Sequence, residues 1–317
     1  MKKIIIVNAR CYCGGTIVLS LLCKLLQEHG VNSKILYIHK FPEQTDNFLM
    51  FWFNWFVYTF KYNLLKIIYL VFKRTKYAEN KRFSVFKCTP VKDVKEKLTP
   101  FYNRKNTIVI YPEVIFGNIL YAKNVVRYLL FNYKYSKTLN AYSKSDFFIC
   151  FRDIFNDKAL NPNEYKLQLN YFDFNLYKQY NFEERRGNCY IIRKGRNRKD
   201  LPASFDGDII DTGMEESKIV EIFNKNKYCF CYDTQTLYTI IAAVCGCIPI
   251  VMLEPGKTKN DYLGENERLT YGVAYGNFKD EIDYAIRTRG KLLESLNFSK
   301  NNEENILRFI DLLNEKF

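Results

Sequence analysis

Cys231–Leu253 reads CYDTQTLYTIIAAVCGCIPIVML. It opens on five hydrogen-bonding residues, Tyr232, Asp233, Thr234, Gln235 and Thr236, continues as a short apolar helical pattern, breaks at Gly246 and re-enters an Ile/Val run. A helix needs one N-cap side chain, and here Asp233, Thr234 and Thr236 stand between a strand pattern, Tyr228–Cys231, and the helix. Strand, polar turn, Ala/Val-rich helix, glycine and buried strand is the order of a βαβ unit in a parallel sheet. In such sheets ligands gather beyond the carboxyl ends of the strands. The surplus polar groups therefore read as a phosphate cradle, with simple capping as the plainer alternative.

The same alternation runs outward in both directions. Strand patterns fall at Lys3–Asn8, Lys34–Ile38, Phe83–Lys87, Thr107–Tyr111 and Phe147–Phe151, then at Cys189–Arg193, Asp208–Asp211, Tyr228–Cys231, Ile248–Leu253 and Gly272–Ala274. Helical patterns fall at Gly15–His29, Ala122–Phe131, Glu216–Asn224, Thr236–Cys245 and Lys279–Leu296. The expected fold is α/β, with two Rossmann-like domains built on parallel sheets, residues 1–151 and 188–300. Residues 152–187, rich in Asn, Tyr and Asp, read as the segment between them, and a last helix within 301–317 is expected to pack back on the first domain.

The chain has 317 residues, 48% of them hydrophobic, and a net charge of +14, which points to anionic partners. The apolar run Ile4–Val7 is far too short for a signal segment, so the expected location is cytoplasmic, with reduced cysteines. The ten cysteines include three C-x-C pairs, Cys11/Cys13, Cys229/Cys231 and Cys245/Cys247, but no C-x-x-C, and the only histidines are His29 and His39. That spacing does not suit zinc, and the cysteines read as small core residues.

Two more loops follow strands. Gly14 and Gly15 stand before the first helix, where they serve either a tight turn or the approach of another molecule to the backbone. They do not form G-x-G-x-x-G, so a dinucleotide fingerprint is absent. In the second half a strand ends on Arg193, Lys194 and Gly195, followed by Arg196, Arg198 and Lys199. Basic side chains at a strand end neutralise a diphosphate, and Arg193 and Lys194 are better placed for it than the later three. The pair Asp206/Asp208 in FDGDIID admits a metal-binding reading, but Asp-Gly there reads more simply as a turn.

Two segments resemble a known family. YDTQTLYTIIAAVCGCIPIV looks like the donor-binding segment of GT-B glycosyltransferases, Leloir enzymes with two facing Rossmann domains. IYPEVIFGNILYAKNVVRYLL, Ile110–Leu130, is similar to a stretch of bacterial enzymes that assemble surface polysaccharides such as capsule, O-antigen or lipooligosaccharide. The resemblance implies a nucleotide-diphosphate sugar as co-substrate, held by Gly14, Gly15, Tyr232, Asp233, Thr234 and Thr236. It implies catalytic roles for Arg193 and Lys194 at the leaving diphosphate and an acceptor side in the first domain, where Glu113 and Asn118 lie. For transfer with inversion a carboxylate base must reach the acceptor hydroxyl, and Glu113, at the end of a first-domain strand, is the best-placed candidate, with a turn carboxylate after Pro112 as the plainer alternative. No metal and no other cofactor is expected. Two positions depart from the pattern: Ile241 stands where many such enzymes carry a ribose-binding Glu, and Ile119 replaces the proline of GNPL.

Asn47–Phe72 is the most apolar stretch, with no charge from Asn47 to Phe60 and then Lys61 and Lys66. It is too short and too interrupted to span a bilayer. Lys73–Lys105 then carries eleven Lys/Arg against three acids. Aromatics beside a basic run imply peripheral contact with an anionic membrane, through Phe51, Trp52, Phe53, Trp55 and Phe56. A buried helix pair is the plainer alternative. The rival functional classes are a non-catalytic sugar-nucleotide-binding protein and a nucleic-acid-binding protein, the second disfavoured because no recognisable nucleic-acid module is present.

Overall fold

The computed structural model describes residues 2–10, 13–38, 48–72, 91, 93–99, 101–131, 142–233, 236–263 and 270–317. The chain forms two compact units, Met1–Tyr171 with Phe298–Phe317, and Phe172–Asn297. The fold is α/β, with one five-stranded parallel sheet in each unit.

The first unit runs β1 (Lys3–Ala9), α1 (Gly14–Glu28), β2 (Ser33–Ile38), α2 (Phe48–Phe72), β3 (Thr107–Pro112), β4 (Asn124–Leu129) and β5 (Phe147–Cys150). The sheet order is β2-β1-β3-β4-β5. Strand β1 is covered on both faces, which is why it reads as a continuous apolar run. Ile4 and Ile6 pack with Leu19, Leu22 and Leu26 of α1, and with Ile306, Phe309 and Leu313 near the C-terminus. Ile5 and Val7 point the other way, toward Trp55 and Tyr111.

The second unit runs β6 (Asn188–Ile191), β7 (Asp208–Ile210), α3 (Glu216–Lys225), β8 (Tyr228–Cys231), α4 (Tyr238–Val244), β9 (Ile248–Val251), α5 (Asn260–Leu263), β10 (Ala274–Tyr275) and α6 (Lys279–Ser295). Helix α7 (Ser299–Lys316) follows and belongs to the first unit. The sheet order is β7-β6-β8-β9-β10, the same topology as in the first unit. Each is the doubly wound order 2-1-3-4-5, whose switch point lies between the first and third strands of the unit.

Helix α4 ends on Val244 with Cys245 as its C-cap, and Gly246 then takes φ +84°. The N–H of Cys247 bonds the Ala242 carbonyl at 2.9 Å and that of Gly246 the Ala243 carbonyl at 3.0 Å, a Schellman closure. It turns the chain straight into β9. Among the described cysteines seven are buried, and only Cys13 is exposed.

One element differs from expectation. Ala122–Phe131 reads as a helix but contains β4, paired in parallel with both β3 and β5. An apolar run buried on all sides carries no period that separates helix from strand, and the β-branched pair Val125–Val126 decides for the sheet. The strand expected at Phe83–Lys87 lies outside the described residues. Residues 152–187 divide between the units at Tyr171/Phe172, and Leu167 and Leu169 are core residues of the first.

Candidate functional site

In the second unit the switch point lies between β6 and β8, and the two loops leaving these strands are tied to each other. The Asp233 carboxylate, 2% exposed, accepts from the main-chain N–H groups of Lys194 and Gly195, both at 2.8 Å. Gly195 lies so close to the other loop that a Cβ there would stand 2.4 Å from the Tyr232 carbonyl oxygen. Only glycine fits this approach. Arg198 staples the same loops, donating to the carbonyls of Tyr232 at 3.2 Å, Met252 at 2.6 Å and Leu253 at 3.0 Å while paired with Asp200.

The loop presents Lys194 exposed and Arg193 half-buried. The Arg193 guanidinium lies 4.6 Å over the Tyr238 ring. Tyr238 donates to Glu216 Oε1 at 2.6 Å, and Tyr177 donates to the other oxygen at 3.0 Å. Burial first, and then Glu216, push the Tyr238 hydroxyl up to about 12, so this aromatic support stays neutral. Two buried atoms here have no hydrogen-bond partner among the described residues, Arg193 Nε and Asp233 Oδ2. A buried polar atom left unpaired costs about 1–3 kcal/mol. Both therefore retain bonding capacity for a polar ligand.

Thr236 stands at the entry to α4, one residue before its N-cap Leu237, and its hydroxyl receives the Tyr238 N–H at 3.4 Å. Thr234 lies outside the described residues. Ile241 is buried in α4 among core residues. Asp206 and Asp208 lie at the opposite, amino end of the sheet. Asp206 accepts from Tyr190 and Asn188, and Asp208 pairs with Lys225 at 3.0 Å and accepts from Asn226 at 2.9 Å. Among the described residues no group of three or more His, Cys, Asp or Glu could hold a metal ion.

In the first unit the switch point lies between β1 and β3. Beyond β1, Gly14 and Gly15 form the first turn of α1. Neither has positive φ, a Cβ on Gly14 would meet nothing within 4 Å, and one on Gly15 would make an ordinary 3.5 Å contact with Leu130. The described protein therefore does not itself require glycine at either place, and the backbone there is open to close approach. Beyond β3, Glu113 is 4% exposed and accepts from the Leu130 N–H at 3.0 Å. Burial raises its carboxyl to about 7, against the opposing effect of that hydrogen bond. A carboxyl that titrates near neutral pH is suited to general-base work.

The loop after Glu113 is held by Arg127, which the sequence analysis did not single out, and by Asn118, which it placed on the acceptor side. Arg127, 1% exposed, pairs with Asp146 at 2.7 Å and donates to the carbonyls of Ile115 at 2.7 Å and Gly117 at 2.6 Å. It is also stacked over Tyr111 and Tyr142. Asn118 is spent on the same loop, accepting from Tyr111 and from the Ala122 N–H and donating to the Ala122 carbonyl. The available signal was an arginine inside an apolar run, VVRYLL.

The aromatic stretch is one 25-residue helix, α2. Trp55 is not a surface ring, contrary to the membrane-contact expectation: it is buried, and its Nε1 donates to the Tyr37 carbonyl at 2.9 Å. Trp52 is half-buried with its edge against Trp55. Arg10 fixes the middle of the helix, stacked on Tyr62 at 3.7 Å and on Tyr37 at 4.0 Å and paired with Glu96. Phe53 and Phe56 are exposed. The side chain of Phe51 and the basic residues Lys73, Arg74 and Lys76 lie outside what the structure describes. Among the described residues no helix is long and apolar enough to cross a membrane.

No family model and no curated protein matches the chain. Among solved structures it is similar to a glycosyltransferase from Rickettsia africae, at 10% identity and a TM-score of 0.46, over 99% of this chain and 98% of that one.

Proposed function

We propose that the protein is a Leloir-type glycosyltransferase of the GT-B kind. It moves a sugar from a nucleotide-diphosphate donor to a growing bacterial surface polysaccharide or lipid-linked oligosaccharide. The observation that carries this reading is a pair of buried atoms with no hydrogen-bond partner among the described residues, Arg193 Nε and Asp233 Oδ2, on the two sides of the β6/β8 switch point. Parallel α/β sheets bind nucleotides at such a point.

In this reading Asp233 has two parts. One oxygen holds the main chain of Lys194 and Gly195 in place, and the other remains for a donor hydroxyl. Arg193, steadied on Tyr238, and Lys194 neutralise the diphosphate as the bond from its oxygen to the anomeric carbon breaks. In transfer with inversion, Glu113 takes the proton of the acceptor hydroxyl while that oxygen bonds the anomeric carbon, and the nucleoside diphosphate leaves. Arg193 and Lys194 supply the positive charge, so no divalent ion is required. Gly14 and Gly15 let the substrate approach the first-unit backbone. The protein works on the anionic inner surface of the plasma membrane, through α2.

The test is release of nucleoside diphosphate from UDP- and GDP-sugars in the presence of lipid-linked or saccharide acceptors. Acceptor-dependent release supports the reading. Tight sugar-nucleotide binding with no release under any acceptor favours the non-catalytic binder, a reading that the apolar Ile241 keeps in view.

A further inference from the structure

We infer that a cleft beside α2 receives the hydrocarbon chain of a phosphate-bearing membrane lipid. The inference rests on the reading above that α2 meets a membrane.

The outward face of α2 carries Leu49, Phe53, Phe56, Phe60, Leu64, Ile67 and Val71, each 50–75% exposed. Their spacing of three and four residues makes one continuous stripe. From Leu49 to Val71 it is about 33 Å long. Scattered apolar surface needs no explanation, but a contiguous strip of this size does. At about 100° per residue, Lys61 and Lys66 fall on opposite margins of the stripe. No acidic residue occurs between Asp46 and Glu79. An apolar stripe edged by cations and free of anions suits the plane of an anionic bilayer.

The cleft opens along one side of this stripe. It has a volume of about 660 Å³, within the size range of small-molecule sites. Trp52, Phe56 and Phe60 of α2 line it together with Leu98, Phe101 and Ile119. Phe56 and Phe60 belong to both stripe and cleft, so an occupant passes from the bilayer into the cleft without crossing water. Arg104 also lines the cleft, is exposed, and lies 5.4 Å over the Tyr121 ring. It supplies a cation for a phosphate head. Among the described residues the other polar linings are Thr59, Asn63, Thr99, the tyrosine hydroxyls and the two indole N–H groups, and that of Trp55 is already given to the Tyr37 carbonyl and the Tyr102 hydroxyl to the Leu120 carbonyl. A peptide in this space would bring an N–H and a carbonyl with every residue, far more than these few groups could satisfy. A hydrocarbon chain brings none.

The chain has two tryptophans, Trp52 and Trp55, and both line the cleft. Their emission therefore reports on its contents. Titration with dodecyl phosphate below its micelle threshold should change that emission saturably, and dodecanol should bind more weakly. Thr59→Phe, which fills the cleft from its inner side, should raise the half-saturating concentration at least tenfold while co-sedimentation with phosphatidylglycerol vesicles is retained. Arg104→Glu should abolish the preference for the phosphate over the alcohol. The unaltered protein, bound to vesicles whose acyl chains are brominated, should lose most of its tryptophan emission, a readout that needs no variant. If vesicles bind the protein but neither dodecyl phosphate nor brominated chains affect the tryptophans, the cleft inference is overturned and the membrane reading stands. If vesicles do not bind, both fall. Tryptophan emission that depends on protein concentration and ignores dodecyl phosphate would assign the cleft to a second copy of the chain.

Discussion

The Asp233 carboxylate, just past β8, holds the main-chain N–H groups of Lys194 and Gly195, just past β6, at 2.8 Å each. One buried side chain thus fixes the loop that presents Arg193 and Lys194. Asp233→Ala removes the acceptor of the buried Gly195 N–H and of the part-buried Lys194 N–H and should cost about 1–3 kcal/mol of stability. It should also weaken nucleotide-sugar binding at least tenfold by calorimetry. Asp233→Asn keeps one acceptor and should fold with a smaller loss. If Asp233→Ala folds and binds nucleotide normally, this loop is not the donor site.

Glu113 gives a pH signature. Burial raises its carboxyl from the ordinary value near 4.5 to about 7. If it is the base, kcat/KM should rise through an apparent pKa near 7, and Glu113→Gln should lose about 10²–10⁴-fold in rate. The stability sign follows from the same shift. A carboxyl held above its unfolded value favours the folded state below about pH 4.5, and that contribution is lost as pH rises through about 7. The full difference is about 3 kcal/mol. Urea unfolding of the Gln variant should therefore show the smaller decline between acid and mildly alkaline pH. Identical pH profiles for both proteins would remove the carboxylate from the chemistry.

If Arg193 and Lys194 supply the positive charge at the diphosphate, as proposed, transfer should survive EDTA and gain nothing from manganese. Asp206→Asn should leave activity within about twofold, since its carboxylate is spent on Tyr190 and Asn188 at the far edge of the sheet. Activity lost in EDTA and restored by manganese would contradict this.

The outward stripe of α2 should bind anionic vesicles. Each cation near such a surface contributes about 1 kcal/mol at most, so Lys61 and Lys66 alone do not hold the protein without insertion of apolar side chains. Phe53→Ser with Phe60→Ser should release it while the fold survives, because both rings are exposed. Lys61→Glu with Lys66→Glu should make the remaining binding weaker at low salt. No sedimentation with anionic vesicles at any salt concentration would end the membrane reading.

The alternation of strands and helices was legible because buried parallel strands are short β-branched runs between longer helical patterns. Tyr228–Cys231, Gly246 and Ile248–Val251 occupy the places their residue types dictate. Strand β4 was misread because burial on every side erases the period that separates strand from helix. The basic loop and Asp233 were visible as residues out of proportion to a cap or a turn. Their bond was not, since it joins positions about forty apart. Arg127 shows the same limit. An arginine in an apolar strand signals a buried partner, but Asp146 is identified only once β4 and β5 are side by side. Trp55 looked like a membrane anchor because composition does not reveal which face of a helix meets the sheet.

The central claim is that the β6/β8 switch point holds a nucleotide-diphosphate sugar. Thermal unfolding in the presence of UDP- and GDP-sugars tests it most directly. At a hundred times Kd a bound donor adds about 2.7 kcal/mol of stability, enough to raise the midpoint by several degrees. The account predicts such a rise with at least one of these donors in the unaltered protein, and its loss in Arg193→Ala, with the midpoint without ligand little changed. No shift with any nucleotide sugar, or a shift produced by DNA alone, would contradict it.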